Sequence, residues 1–134
     1  MDKKIYKRFA GMAAVLAAGL LISAMPAESV MQKDGDTTIV NTQQLGKNVR
    51  GYRGATPLKI YIRKNKVVKV EALANHETPK FFAKAKAILA KYEGASTKKA
   101  ARMQVDGVSG ATFTSKSLKK NMELGLQYYN EKHK

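Results

Sequence analysis

Leu58-Lys59-Ile60-Tyr61-Ile62-Arg63 alternates apolar and polar side chains at every step. That is the period of a strand with one buried and one wet face. Lys64-Asn65 follows as a turn, and Val67 to Leu73 supplies a second β-branched run, so the two read as a hairpin. Downstream the period changes. Thr78-Pro79 offers an N-cap followed by proline at the first helical position. Phe81, Phe82, Ala85, Ile88, Leu89 and Tyr92 then recur at helical spacing until Gly94. Ala101 to Val105 reads as a short returning strand. A last helix capped by Thr114 or Ser115 places Leu118, Met122, Gly125, Leu126 and Tyr129 on one face. The expected fold class is α+β: a small antiparallel sheet of hairpin plus returning strand, covered by two helices in the order β-β-α-β-α.

Upstream of the hairpin the chain changes character twice. Residues 28–48 are polar and turn-rich and read as a linker, with the domain proper at 49–134. Before them stands a basic head of Lys3, Lys4, Lys7 and Arg8, then the uncharged, mostly apolar run Phe9 to Met25, closed by Pro26-Ala27. Residues 1–27 therefore read as an export signal peptide or a retained N-terminal anchor. Either form puts the domain outside the cytoplasm: periplasmic, extracellular, or held on the outer side of the membrane.

Composition removes several chemistries. With no cysteine there is no lipidated N-terminal thiol, thiolate haem attachment, iron–sulfur ligation or thiol catalysis. The two histidines, His76 and His133, lie far apart and lack a ligand-spaced partner, so no metal site is expected. Charge is the strongest bulk feature, with 25 Lys+Arg against 10 Asp+Glu and a formal net charge of +15. That balance attracts acidic proteins, polyanions and anionic membrane faces. Lysines that alternate with apolar residues on the hairpin are the wet face of a sheet. Stacking aromatics are too scarce there for a nucleic-acid platform, so no nucleic-acid partner is expected.

The chemistry-bearing stretch joins the returning strand to the last helix: Asp106-Gly107-Val108-Ser109-Gly110-Ala111-Thr112-Phe113-Thr114-Ser115. Its small residues let the backbone approach an anion, and Gly110 can take a positive φ. Amides at the start of the following helix add donors and a favourable dipole. Ser109, Thr112, Thr114 and Ser115 add hydroxyls. The same stretch also suits a plain glycine turn feeding a helix.

Asp106-x-x-Ser109-Gly110-Ala111-Thr112 resembles the flavinylation motif of the FMN-binding domain family. That family includes the flavin subunits of the sodium-translocating quinone reductase and of Rnf-type complexes. Gly51-Tyr52-x-Gly54 looks like the family's opening, and Glu77-Thr78-Pro79 like its Glu-Thr-Pro turn near the flavin. The resemblance runs from about Val49 to Tyr129. It implies FMN joined by a phosphodiester to Thr112, attached by a separate flavin transferase that uses FAD and releases AMP. It also implies that Ser109, Gly110 and Ala111 shape the phosphate loop, with Thr114 and Ser115 donating to phosphate. Glu77 and Thr78 are then candidates near the ring, and Asp106 serves transferase recognition or caps its own turn. Phe81, Phe82 and Phe113 are available for ring contacts. Where relatives often continue Glu-Thr-Pro with glycine, this chain has Lys80-Phe81.

The implied function is an extracytoplasmic electron carrier partnered by an acidic redox protein or a membrane electron-transport complex. Whether it is also an enzyme stays open. One alternative is a small exported flavin reductase acting on a soluble acceptor, and another is a non-redox cationic module that binds polyanions.

Overall fold

The computed structural model describes residues 30–134. The expected leader, residues 1–27, lies outside the described residues. Four antiparallel strands lie side by side in chain order: β1 (Met31–Asp34), β2 (Thr37–Asn41), β3 (Leu58–Arg63) and β4 (Lys66–Ala72). Helix α1 (Pro79–Lys86) runs into a 3-10 helix, Ala87–Tyr92, and a short helix α2 (Thr97–Ala100) follows. The long helix α3 (Thr112–Lys132) closes the chain. The fold is α+β, as the sequence patterns predict.

The β3–β4 hairpin forms where the alternation places it. Lys64 and Asn65 sit at φ 53° and 60°, as a type I′ turn demands of both central residues. Leu58, Ile60 and Ile62 face inward and are almost fully buried, while Lys59, Tyr61 and Arg63 face out. Against the inner face α3 lays Leu118, Met122 and Leu126, all fully buried, with α1 and α2 flanking it. Each such aliphatic side chain contributes about 1.5–3 kcal/mol through burial.

Two expectations need correcting. The stretch read as a linker contains β1 and β2, so ordered structure starts well before Val49. Thr37-Thr38-Ile39-Val40 is a β-branched run with an inward-facing Val40, and Asp34-Gly35-Asp36 supplies the turn. Its polar neighbours mask the signal because β1 is an edge strand with three exposed residues of four. Conversely, Ala101 to Val105 forms no strand. Ala101 and Arg102 complete the turn that ends α2, their amides bonding to Thr97 O and Lys99 O. The sheet's extra strands therefore come from the N-terminal side.

The helices differ in detail too. Thr78 holds the N-cap position of α1 without a side-chain cap bond. The helical period persists to Tyr92, but the second half tightens to 3-10 geometry before Gly94 (φ 88°) ends it. Helix α3 starts at Thr112, one turn earlier than a Thr114 or Ser115 cap would place it.

Candidate functional site

The Ser109–Thr112 segment delivers the chain onto α3. Gly110 takes φ 85°, where any side chain would be strained. The turn closes through Ala111 N–H donating to Val108 O (2.9 Å), and Ser115 N–H donates to Ala111 O (2.9 Å). Ala111 is buried, whereas Ser109, Gly110 and Thr112 are exposed. Thr112 thus occupies the first helical position with its hydroxyl open to solvent, among the amides that an α-helix leaves unbonded at its start.

Two concavities meet at Thr112. One, of about 320 Å³, is walled by Tyr52, Phe81 and Phe113 and floored by Gly110 to Thr114. Phe113 and Tyr52 are 62 % and 68 % exposed, and their rings stack at 6.3 Å with 27° between planes. Two large aromatics held in water at this exposure form a slot awaiting a flat apolar group. The other, of about 370 Å³, runs over Gly107, Val108, Ser109 and Ser115 to Lys116 and Lys119. Thr112 belongs to both.

Glu77 fixes the aromatic wall. Its carboxylate is 5 % exposed and accepts four hydrogen bonds. Oε1 takes Tyr52 N–H (2.8 Å) and the Thr114 hydroxyl (2.5 Å), while Oε2 takes Arg53 N–H (2.6 Å) and Gly54 N–H (3.0 Å). Burial alone would push this acid up. The bonds from Thr114 and from the Arg53, Tyr52 and Gly54 amides outweigh it and hold the carboxyl below its ordinary value. A Cβ at Gly51 would collide with the same carboxylate, so only glycine lets this loop wrap it so closely. Glu77 therefore spends its oxygens inside the protein, joining the loop that carries Tyr52 to the helix start that carries Phe113.

Of the hydroxyls expected to reach phosphate, Thr114 lines the aromatic slot and Ser115 the lysine pocket. Thr114 donates its proton to Glu77, whereas the buried Ser115 Oγ accepts from Val108 N–H (3.0 Å), which leaves its own proton available. Thr78 lines neither concavity at Thr112, Asp106 is exposed, and Phe82 is half-buried against the core. Sequence reading missed Tyr52, Lys116 and Lys119 as site residues. Lys116 had a legible signal, since it stands four residues after Thr112 and so on the same helical face. Tyr52 stands in the Gly51-Tyr52-x-Gly54 opening, but only the fold brings it to Phe113.

The profile of the FMN-binding domain family matches residues 51–127, more than half of the chain. The chain belongs to that family. Among curated proteins and among solved structures, nothing matches. The matched span opens on the Gly51 loop and includes Glu77, Thr112 and nearly all of α3, so both walls of the slot lie within it. Membership makes this an FMN-binding domain. The residues present fit such a group: a flat aromatic slot for a ring system, and a lysine-lined pocket on the other side of the exposed Thr112 for a phosphate.

Proposed function

We propose that this domain is an extracytoplasmic electron carrier whose FMN is attached through its phosphate to Thr112 Oγ1. The observation that carries the reading is the position of Thr112: exposed, at the first turn of α3, and shared by the aromatic slot and the lysine pocket. Maturation would need a flavin transferase. Thr112 Oγ1 loses its proton and bonds to the flavin-side phosphorus of FAD as the pyrophosphate P–O bond breaks and AMP leaves.

FMN, when bound, supplies electron exchange in steps of one or two. The chain's own part is to bind, orient and shield. Tyr52, Phe81 and Phe113 would cover apolar ring surface and shield it from water. Lys116 and Lys119 stand where a phosphodiester charge would need a counter-ion, and the amides opening α3 aim their dipoles at the same place. The slot opens on the surface, where a partner protein could approach a bound ring, and that suits a relay between larger redox proteins. The basic head and apolar run of residues 1–27 support export or outer-face anchoring, and among the described residues no helix is long and apolar enough to cross a membrane.

The test is mass spectrometry of protein co-produced with a flavin transferase. The peptide containing Thr112 should carry the mass of FMN. Thr112→Ala should lose the covalent flavin and keep its stability within about 0.5 kcal/mol, since an exposed hydroxyl contributes little to folding. A yellow protein that releases its flavin on denaturation, with Thr112 unmodified, would overturn the covalent reading.

A further inference from the structure

Beside the lysine pocket lies a groove of about 470 Å³ between α3 and the irregular segment Ala100–Val105. Arg102, Lys116, Lys119 and Lys120 line it, against a single acidic side chain, Glu123. By contrast, the aromatic slot has no charged residue in its lining, and the pocket at the far end of α3 has only Lys98 besides His133. Positive charge is spread over the whole molecule, but among its concavities it is concentrated here. The groove is also continuous with the proposed flavin site, because Lys116 and Lys119 line both it and the pocket that contains Thr112.

The groove is a built surface rather than a fringe of loose lysines. Lys119 Nζ donates to Val105 O (2.9 Å), which pins the irregular segment to α3 and sets the groove's width. Lys120 is held at 3.0 Å from Glu123, while Lys116 and Arg102 are exposed. The acidic component of the groove is thus shared with Lys120, and an entering carboxylate meets the exposed Arg102 and Lys116, with Lys120 able to exchange Glu123 for it.

We propose that this groove seats an acidic segment of the redox partner and so holds that partner beside the flavin end of α3. The proposal rests on Thr112 bearing the flavin. Exposed charges separated by more than about 10 Å are screened at 0.1 M salt, so a cluster along one groove selects an orientation where scattered charges give only attraction. Residues Arg102 and Lys120 anchor the end away from Thr112, and Lys116 lies at the end nearest it.

The experiment uses the full flavinylated chain and a fluorescein-labelled peptide rich in glutamate and aspartate. Binding is compared among the wild type, Arg102→Glu with Lys120→Glu in the groove, and Lys59→Glu with Arg63→Glu on the outer face of the sheet. Both variants change net charge equally. The groove variant should weaken peptide binding roughly tenfold, and the sheet variant less than about threefold. Equal losses would overturn the proposal and leave the whole-molecule field as the cause, and so would failure of the wild type to bind. A groove effect seen with phosphatidylglycerol vesicles but absent with the peptide would overturn it in favour of a membrane contact. Flavin content is measured in every sample. Colourless protein would defeat the flavin reading, while the peptide result would still report on the groove itself.

Discussion

Helix α3 carries two buried polar clusters, one at Thr114 and one at Ser117 and Asn121, and they are built on different principles. The first joins Thr114 to the ionised Glu77 and through it to the amides of Tyr52, Arg53 and Gly54. The second is neutral. Asn121, fully buried, accepts from the Thr42 hydroxyl (2.7 Å) and donates to Ser117 O (2.9 Å), while Thr56 and Ser117 hydroxyls meet at 2.6 Å. Thr42 also accepts from Leu58 N–H (2.9 Å), which ties the cluster to the start of β3. The charged cluster secures a surface loop whose tip, Tyr52, is solvent-exposed. The neutral one secures the helix to the sheet in the centre of the core. Functional geometry and fold stability are thus held by separate groups on one helix.

The neutral cluster should give the largest effect when broken. Asn121→Ala removes the acceptor of the Thr42 hydroxyl in a place that water cannot reach, while the Ser117 carbonyl keeps its helical bond. A cost of about 2–3 kcal/mol is expected, or a fall of roughly 10 °C or more in Tm. Thermal unfolding followed by far-ultraviolet circular dichroism measures it. If the separation between the clusters is real, flavin attachment below the new Tm should be unaffected.

Breaking the charged cluster should do the reverse. Glu77→Gln presents an amide nitrogen to donors that need an acceptor, so at least one bond from the Gly51–Gly54 loop is lost. Tyr52 and Arg53 are exposed and their amides can turn to water, though Gly54 is buried, which limits the global cost to about 1–2 kcal/mol. The local effect should exceed it: protease cleavage near Arg53 rises, and the near-ultraviolet signal of Tyr52 against Phe113 falls. A Tm loss as large as that of Asn121→Ala, with Arg53 still protected, would show that the two clusters form one unit.

Which of these features the sequence displays follows from their range. The β3–β4 hairpin, the helical stripe ending at Gly94 and the glycine turn before Thr112 are local patterns, and each stands where its spacing places it. β1 is hidden because an edge strand exposes polar side chains, and β2 because one of its two inward positions is a threonine, Thr38, so that its alternation is not an apolar one. The false strand at Ala101–Val105 arose because a short apolar stretch beside α2 has no period to tell a strand from a loop. The slot was only half legible. Phe81 and Phe113 stand near the motif, but Tyr52 reaches them only through Glu77, a contact that spans 25 residues. That the Glu77 carboxylate is consumed internally is likewise a fact of packing.

Acid should give the smallest effect and the sharpest distinction between the clusters. The folded protein holds Glu77 below its ordinary value of 4.5, against the opposing push of burial, because four donors face the carboxylate. A group whose pKa is depressed on folding stabilises the protein above its unfolded value, and that contribution fades as pH falls through the folded value. Protonation would add a fifth donor, the acid's own hydroxyl, to four that all require an acceptor, so the Gly51–Gly54 loop should loosen before the core does. Between about pH 5 and pH 3 the wild type should lose stability more steeply than Glu77→Gln, in which nothing at this position titrates. Asn121→Ala should keep the wild-type slope from its lower starting point, since its cluster has no ionisable member. Tm measured against pH for the three proteins decides it. Parallel curves for the wild type and Glu77→Gln would mean that the carboxylate is not the ionised centre of its cluster, and the contrast between the two clusters would fail.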